Sequence, residues 1–99
     1  MFNIIWQYQV KEEHKIKFEE IYSTNGLWAD LFKRSQGYLG TELFQDEINS
    51  QFYLTIDHWK SKQDFESFQS QWQEAYKLLD EQCEGLTEKE SLLGKWHLK

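Results

Sequence analysis

The chain has 99 residues, of which 17 are aromatic, namely five Trp, five Tyr and seven Phe. A chain of this length forms one compact domain, residues 1–99, and its many large apolar side chains exclude intrinsic disorder. The 17 acidic and 11 basic residues give a formal net charge of −6. This charge repels the phosphate backbone, so nucleic-acid binding is not expected.

Cysteine content and hydropathy indicate the cellular setting. Cys83 is the single cysteine, so no internal disulfide can form and a reducing compartment is expected. Residues 1–10 lack the basic start and uninterrupted apolar run of a secretion signal. No apolar stretch approaches the roughly 20 residues that cross a bilayer. We therefore predict a cytoplasmic protein that does not associate with membranes.

The first half of the chain shows a strand pattern and then a helix pattern. Apolar residues occupy every second position from Phe2 to Val10, which predicts a strand. From Phe18 to Phe32 the apolar spacing changes to three and four residues, as on one face of a helix. The turn-forming pair Asn25-Gly26 interrupts this stretch and predicts a break between two short helices.

The second half adds a hairpin, a long helix and a last strand. Residues 38–46 and 51–59 alternate as strands, and their short connection predicts an antiparallel hairpin. Residues 61–85 have the strongest helical periodicity of the chain. Residues 87–90 resemble a capped helical turn, and residues 92–98 a final strand. This order predicts an α+β, ferredoxin-like fold, a four-stranded antiparallel sheet with helices on one face.

Four segments resemble the antibiotic biosynthesis monooxygenase (ABM) domains of the dimeric α/β-barrel superfamily. They are Leu27–Phe32 (LWADLF), Gly37–Leu43 (GYLGTEL), Tyr53–Ser61 (YLTIDHWKS) and Cys83–Glu88 (CEGLTE). The resemblance implies a homodimer in which two sheets pack face to face into a barrel, with a pocket between the sheet and the helices of each subunit. Members include cofactor-independent oxygenases of quinols and polycyclic phenols, haem-degrading enzymes and proteins of unknown activity.

Two neighbouring residues are candidates for the base that such an oxygenase needs to deprotonate a phenol. His58 ends the face of the third strand that carries Phe52, Leu54 and Ile56, and Asp57 lies on the opposite face. Strand register decides which of the two reaches the pocket, because a slip of one residue exchanges the faces. We predict His58 as the base and keep Asp57 as the alternative.

Aromatic residues are the candidates for the pocket walls. We predict that Trp72 and Tyr76 on the long helix orient the substrate and its oxygenated intermediate, although they are equally typical of core. The predicted substrate-binding residues are Phe65, Phe68, Trp6 and Tyr8. Plain core packing is the competing interpretation of these four.

The sequence predicts no cofactor. Haem-degrading relatives carry their axial histidine on the long helix, and residues 61–85 contain no histidine. His14, His58 and His97 lack the spacing of a metal site, and there is no glycine-rich phosphate loop for a flavin. We predict a homodimeric monooxygenase of a small aromatic, quinol-like or polycyclic phenolic metabolite. The alternative is a non-catalytic small-molecule-binding or stress-related dimer of the same fold, and haem binding comes third.

Overall fold

The computed structural model describes all residues 1–99 and contains four strands and four α-helices. In chain order they are β1 (Phe2–Val10), α1 (Lys15–Tyr22), α2 (Leu27–Phe32), β2 (Tyr38–Gln45), β3 (Phe52–Trp59), α3 (Lys62–Gln71), α4 (Gln73–Cys83) and β4 (Thr87–His97). Short 3₁₀ turns, Glu12–His14 and Glu84–Leu86, precede α1 and β4. The α-helices have 6 to 11 residues, and none of them could span a membrane.

The four strands form one antiparallel sheet in the order β2-β3-β1-β4. This is the ferredoxin-like arrangement, so the predicted α+β fold is confirmed. The break at Asn25-Gly26 is confirmed as well, since α1 ends at Tyr22 and α2 begins at Leu27. The predicted hairpin is β2 and β3.

One face of the sheet packs against the helices and forms the core. Alternation places Phe2, Ile4, Tyr8 and Val10 of β1 on this face, and all four are buried. The largest fully buried side chain is Trp59, at the end of β3. Aromatic rings surround it at centroid distances of 5.3–5.5 Å. They are Phe32, Tyr38, Phe65 and Phe68.

The long helix differs from its prediction. Residues 62–83 form two helices because Trp72 leaves the helical region, with φ −114° and ψ 28°. The Trp72 amide still bonds the Phe68 carbonyl at 2.9 Å, and the Trp72 carbonyl accepts from the Tyr76 amide at 3.0 Å. The backbone hydrogen bonds therefore continue on both sides of the junction.

The predicted capped turn at residues 87–90 is wrong. These residues begin β4, where Thr87 pairs with Val10 and Glu90 pairs with Tyr8. The ladder with β1 satisfies the backbone groups that a helical turn would have satisfied, so tertiary pairing overrides the local capping signal.

A bulge in β2 sets the register at the centre of the sheet. Gly40 has φ +139°, a value that side chains other than glycine rarely adopt. The register shifts between Tyr38 and Gly40, and Thr41 then lies directly opposite Asp57. The bulge therefore brings a hydroxyl and a carboxylate together on the face toward the helices.

The outer face of the sheet has no helix on it. It carries Ile5, Ile56 and Phe44, together with Trp96 near the end of β4. Phe44 is 45% exposed and Trp96 is 59% exposed. Large apolar side chains therefore remain partly uncovered on this face, which is typical of a surface that contacts a partner.

Candidate active site

A cavity of about 140 Å³ lies between the inner face of the sheet and the helices. Every strand and three of the helices contribute to its lining. Its aromatic lining residues are Trp6, Tyr8, Tyr22, Trp28, Phe32 and Tyr76. Its polar lining residues are Thr41, Thr55, Asp57, Asp80 and Glu90. Apolar walls with a few placed polar groups are typical of a small-molecule site.

Asp57 is the buried carboxyl group of this cavity. The residue is only 9% exposed, and its Oδ1 accepts a hydrogen bond from the Thr41 hydroxyl at 2.7 Å. Burial raises the pKa of this carboxyl from 3.8 to about 6, against the lowering effects of the Thr41 hydrogen bond and of His58. Asp57 is therefore a stronger base than an ordinary surface carboxylate.

A second hydroxyl extends the hydrogen bonds behind Asp57. The Tyr38 hydroxyl lies 2.6 Å from the Thr41 Oγ1. Since Thr41 uses its proton toward Asp57, Tyr38 donates to Thr41. Burial raises the pKa of Tyr38 as well. The chain of hydrogen bonds Tyr38–Thr41–Asp57 therefore fixes the orientation of the carboxylate.

Three tyrosines of the lining stay protonated over the physiological pH range. Burial raises the pKa of Tyr76 to about 12, helped by the negative charges of Asp80, Asp57 and Glu90. It also raises the pKa of Tyr8 and Tyr22. Each of these phenols is therefore neutral and keeps a hydroxyl proton that it can donate in a hydrogen bond.

The structure places His58 outside the cavity. It points to the outer face of the sheet, where Nδ1 lies 2.5 Å from the Asn3 Oδ1 and Nε2 lies 2.6 Å from the Glu42 Oε1. The Asn3 amide nitrogen donates to the Trp96 carbonyl at 3.3 Å, which fixes the amide orientation. The expectation that His58 reaches the pocket rim is therefore corrected, because the register gives the inner face to Asp57.

The predicted wall residues divide into two groups. Trp6, Tyr8 and Tyr76 line the cavity together with Asp57. The other three do not, and their neighbours explain why. Phe65 and Phe68 pack on Trp59 in the core, and Trp72 lies at the α3–α4 junction beneath the Arg34 guanidinium, 4.8 Å from the ring centroid. Core packing is the interpretation that fits Phe65 and Phe68.

Seven of the lining residues are not among those predicted from the sequence, although the sequence pattern indicates the position of most of them. Thr55 alternates with Asp57 on β3, and Asp80 lies one helical turn after Tyr76. The remaining aromatic ones belong to the apolar faces of α1 and α2. The seven are Tyr22, Trp28, Phe32, Thr41, Thr55, Asp80 and Glu90.

A family model described as antibiotic biosynthesis monooxygenase matches residues 1–77. The chain belongs to the antibiotic biosynthesis monooxygenase family. The match to this ABM family spans the elements from β1 to the first turn of α4, and it ends before Asp80 and Glu90. No curated protein sequence matches the chain.

Solved structures share the fold over almost the whole chain. The cofactor-independent oxygenase SnoaB from Streptomyces nogalater is 15% identical, with a TM-score of 0.80 over 99% of this chain and 92% of that one. An ABM-type protein from Deinococcus radiodurans is 11% identical, with a TM-score of 0.79 over 100% and 93% of the two chains. One from Nitrosomonas europaea is 13% identical, with a TM-score of 0.75 over 99% and 98%. At these identities the likeness establishes the fold.

Proposed function

We propose that this chain is a cofactor-independent monooxygenase that acts on a monocyclic quinol. The observation that carries the proposal is Asp57, a buried carboxylate with a raised pKa in a cavity walled by aromatic rings. Ionisable groups perturbed by burial inside a cleft are typical of catalytic sites. Similarity to a cofactor-independent oxygenase supports the reaction class. Asp57, rather than His58, is the base.

The reaction is the conversion of a quinol and O₂ into a hydroxyquinone and water. Asp57 accepts the phenolic proton, and the electron-rich anion supplies electrons to O₂ directly. One oxygen atom ends on the ring and the other leaves as water, so the substrate provides all the electrons. Tyr8, Tyr22 and Tyr76 donate hydrogen bonds to the developing oxygen atoms, and the aromatic walls exclude bulk water.

The size of the cavity favours one ring over several. A cavity of about 140 Å³ is close to the roughly 150 Å³ that accepts benzene in another protein. Pockets for drug-sized molecules start at about 300 Å³. A polycyclic phenol, the broader class expected from the sequence, exceeds this space.

Oxygen uptake by metal-stripped protein tests the reaction. We expect uptake with hydroquinone and methylhydroquinone at least tenfold above the uptake with a tricyclic phenol, because only single rings fit. Heat-denatured protein provides the autoxidation background. Uptake at background level across the whole panel, with the fold intact by circular dichroism, would count against the proposal and favour the non-catalytic binder.

We also propose that the outer sheet face joins two copies of the chain into a homodimer. The face is apolar at its centre, at Ile5 and Ile56, and exposed at Phe44 and Trp96. Domains of about 100 residues bury a limited share of their surface, so an apolar face of this kind is stabilised by a partner. In such a dimer the hydrogen-bonded His58 lies at the interface, where it fixes the side chains of Asn3 and Glu42.

A charge at the centre of this face is expected to separate the subunits. Ile56→Glu introduces two like charges into an isologous contact, and sedimentation velocity at micromolar concentration should then show the monomer. Ile16→Lys is the matched control, because Ile16 is exposed on α1 away from the sheet. A wild-type chain that sediments as a monomer would contradict the dimer.

A further inference from the structure

All charged groups of the cavity are negative. Asp57 lies at its floor, and the exposed residues Asp80 and Glu90 lie at its mouth on α4 and β4. No Lys, Arg or His lines the cavity. The ion pairs of the chain involve other residues, namely Lys15–Glu12, Lys33–Asp30 and His58–Glu42. The three carboxylates of the cavity therefore form no ion pair with a side chain of this protein.

Asp57 also has an unused acceptor. Its Oδ1 takes the Thr41 hydroxyl, whereas its Oδ2 accepts no hydrogen bond from the protein. Because Asp57 lines the cavity, its Oδ2 is available to accept a hydrogen bond from a ligand group such as a phenolic hydroxyl.

The negative charges at the mouth of the cavity repel one another. Partial burial raises the pKa of Glu90, and the nearby charges of Asp80 and Glu84 raise it further. A bound anion would add to this repulsion, whereas a bound cation would relieve it. No three His, Cys, Asp or Glu side chains are arranged to hold a metal ion. An organic cation is the partner that this arrangement fits.

The aromatic walls accept the same kind of ligand. Trp6 and Tyr8 stack with their centroids 6.5 Å apart, and Tyr76 meets Trp28 edge-on at 5.0 Å. Aromatic faces attract ammonium groups through cation–π interactions, which strengthen when the cation is desolvated. We propose that the substrate of this cavity is a single quinol ring carrying a protonated amine, with one ring hydroxyl at Asp57 and the ammonium between Asp80 and Glu90.

This inference names the substrate class of the proposed oxygenase and rests on that function only for turnover. The binding step can be measured alone with three phenols that differ in the charge of one arm. They are tyramine, which is cationic, tyrosol, which is neutral, and 4-hydroxyphenylacetate, which is anionic. None of the three is a quinol, so their affinities are independent of oxygenation.

Isothermal titration calorimetry at pH 7.5 and low ionic strength gives the three affinities. We expect tyramine to bind at least about tenfold more tightly than tyrosol, equivalent to about 1.4 kcal/mol, and 4-hydroxyphenylacetate to bind most weakly. Equal affinities, tightest binding of the anion, or no binding of any of the three would each overturn the inference.

A double variant tests whether Asp80 and Glu90 cause the preference for tyramine over tyrosol. Asp80→Asn with Glu90→Gln should bring the affinity ratio of tyramine to tyrosol close to one. Glu74→Gln with Glu81→Gln is the matched control, since it changes the net charge equally at exposed positions of α4 outside the cavity and should keep the ratio. A ratio that survives in the Asp80/Glu90 variant would overturn the assignment. Oxygen uptake with uncharged quinols reports on the proposed function separately.

Discussion

Asp57→Asn is expected to lower turnover of a quinol by about 10²- to 10⁴-fold and, at the same time, to make the protein more stable at pH 8. The amide cannot accept the phenolic proton, which removes the base. It can still accept the Thr41 hydrogen bond through its Oδ1, so the surrounding packing stays the same. Opposite effects on activity and stability distinguish a functional residue from a structural one.

The stability effect follows from the raised pKa of Asp57. The folded state holds the proton up to about pH 6, and the unfolded chain releases it near pH 3.8. Between these values the folded state binds more protons, so stability falls as pH rises, and the loss is complete above about pH 6. The pKa difference corresponds to about 3 kcal/mol at most. Asp57→Asn has no carboxyl at this position and therefore avoids this loss. Its free energy of unfolding should exceed that of the wild type most at pH 8.

Urea denaturation at pH 4 and pH 8 measures this difference. We expect the free energy of unfolding of the variant to exceed that of the wild type at pH 8 by up to about 3 kcal/mol, and the gap to shrink at pH 4. Asp30→Asn, at an exposed position of α2, should change stability by less than about 0.5 kcal/mol. An Asp57→Asn protein that keeps its turnover would exclude Asp57 as the base.

The secondary-structure elements could be predicted from the sequence where a single hydrophobic periodicity dominates a segment. The alternation in β1 and β3, the break at Asn25-Gly26 and the short connection predicted between residues 46 and 51 correspond to strands, turn and hairpin in the structure. Residues 87–90 could not be read locally, because a capping pattern and a strand start use the same residue types and pairing with β1 decides between them. The kink at Trp72 likewise lacks a proline or glycine signal.

The sequence alone does not show which face of β3 meets the helices, and the residues of the site depend on that choice. His58 and Asp57 are neighbours on β3, so the pattern shows that they face opposite sides without showing which side meets the helices. Pairing of Asp57 with Ile4 and Thr41 decides this. The same choice of face places Trp6 and Tyr8 in the cavity. Asp80 and Glu90 come from elements distant in sequence, and only the closed sheet brings them to one mouth.

The second large expected effect is a loss of stability when a core residue, rather than a cavity residue, is truncated. Phe68 is 1% exposed and contacts Phe32 and Trp59 at centroid distances of 5.4 and 5.3 Å, whereas Trp6 is half-buried and lines the cavity. Phe68→Ala is expected to lower the free energy of unfolding by about 3–5 kcal/mol. Domains of this size have about 5–15 kcal/mol in total, so the melting temperature should fall by more than about 10 °C.

Conservative variants separate the two roles in folded protein. Phe68→Leu keeps most of the buried volume, so it should reduce stability while leaving the KM for a quinol within about twofold of the wild-type value. Trp6→Leu removes an aromatic wall, and it should raise KM about tenfold, because an aromatic contact is worth about 1 kcal/mol or slightly more, with a smaller loss of stability. Thermal denaturation and steady-state oxygen uptake measure both quantities on the same samples. If Phe68→Leu raised KM as much as Trp6→Leu, the cavity would extend beneath α3, and Phe68 would be a wall residue rather than a core residue.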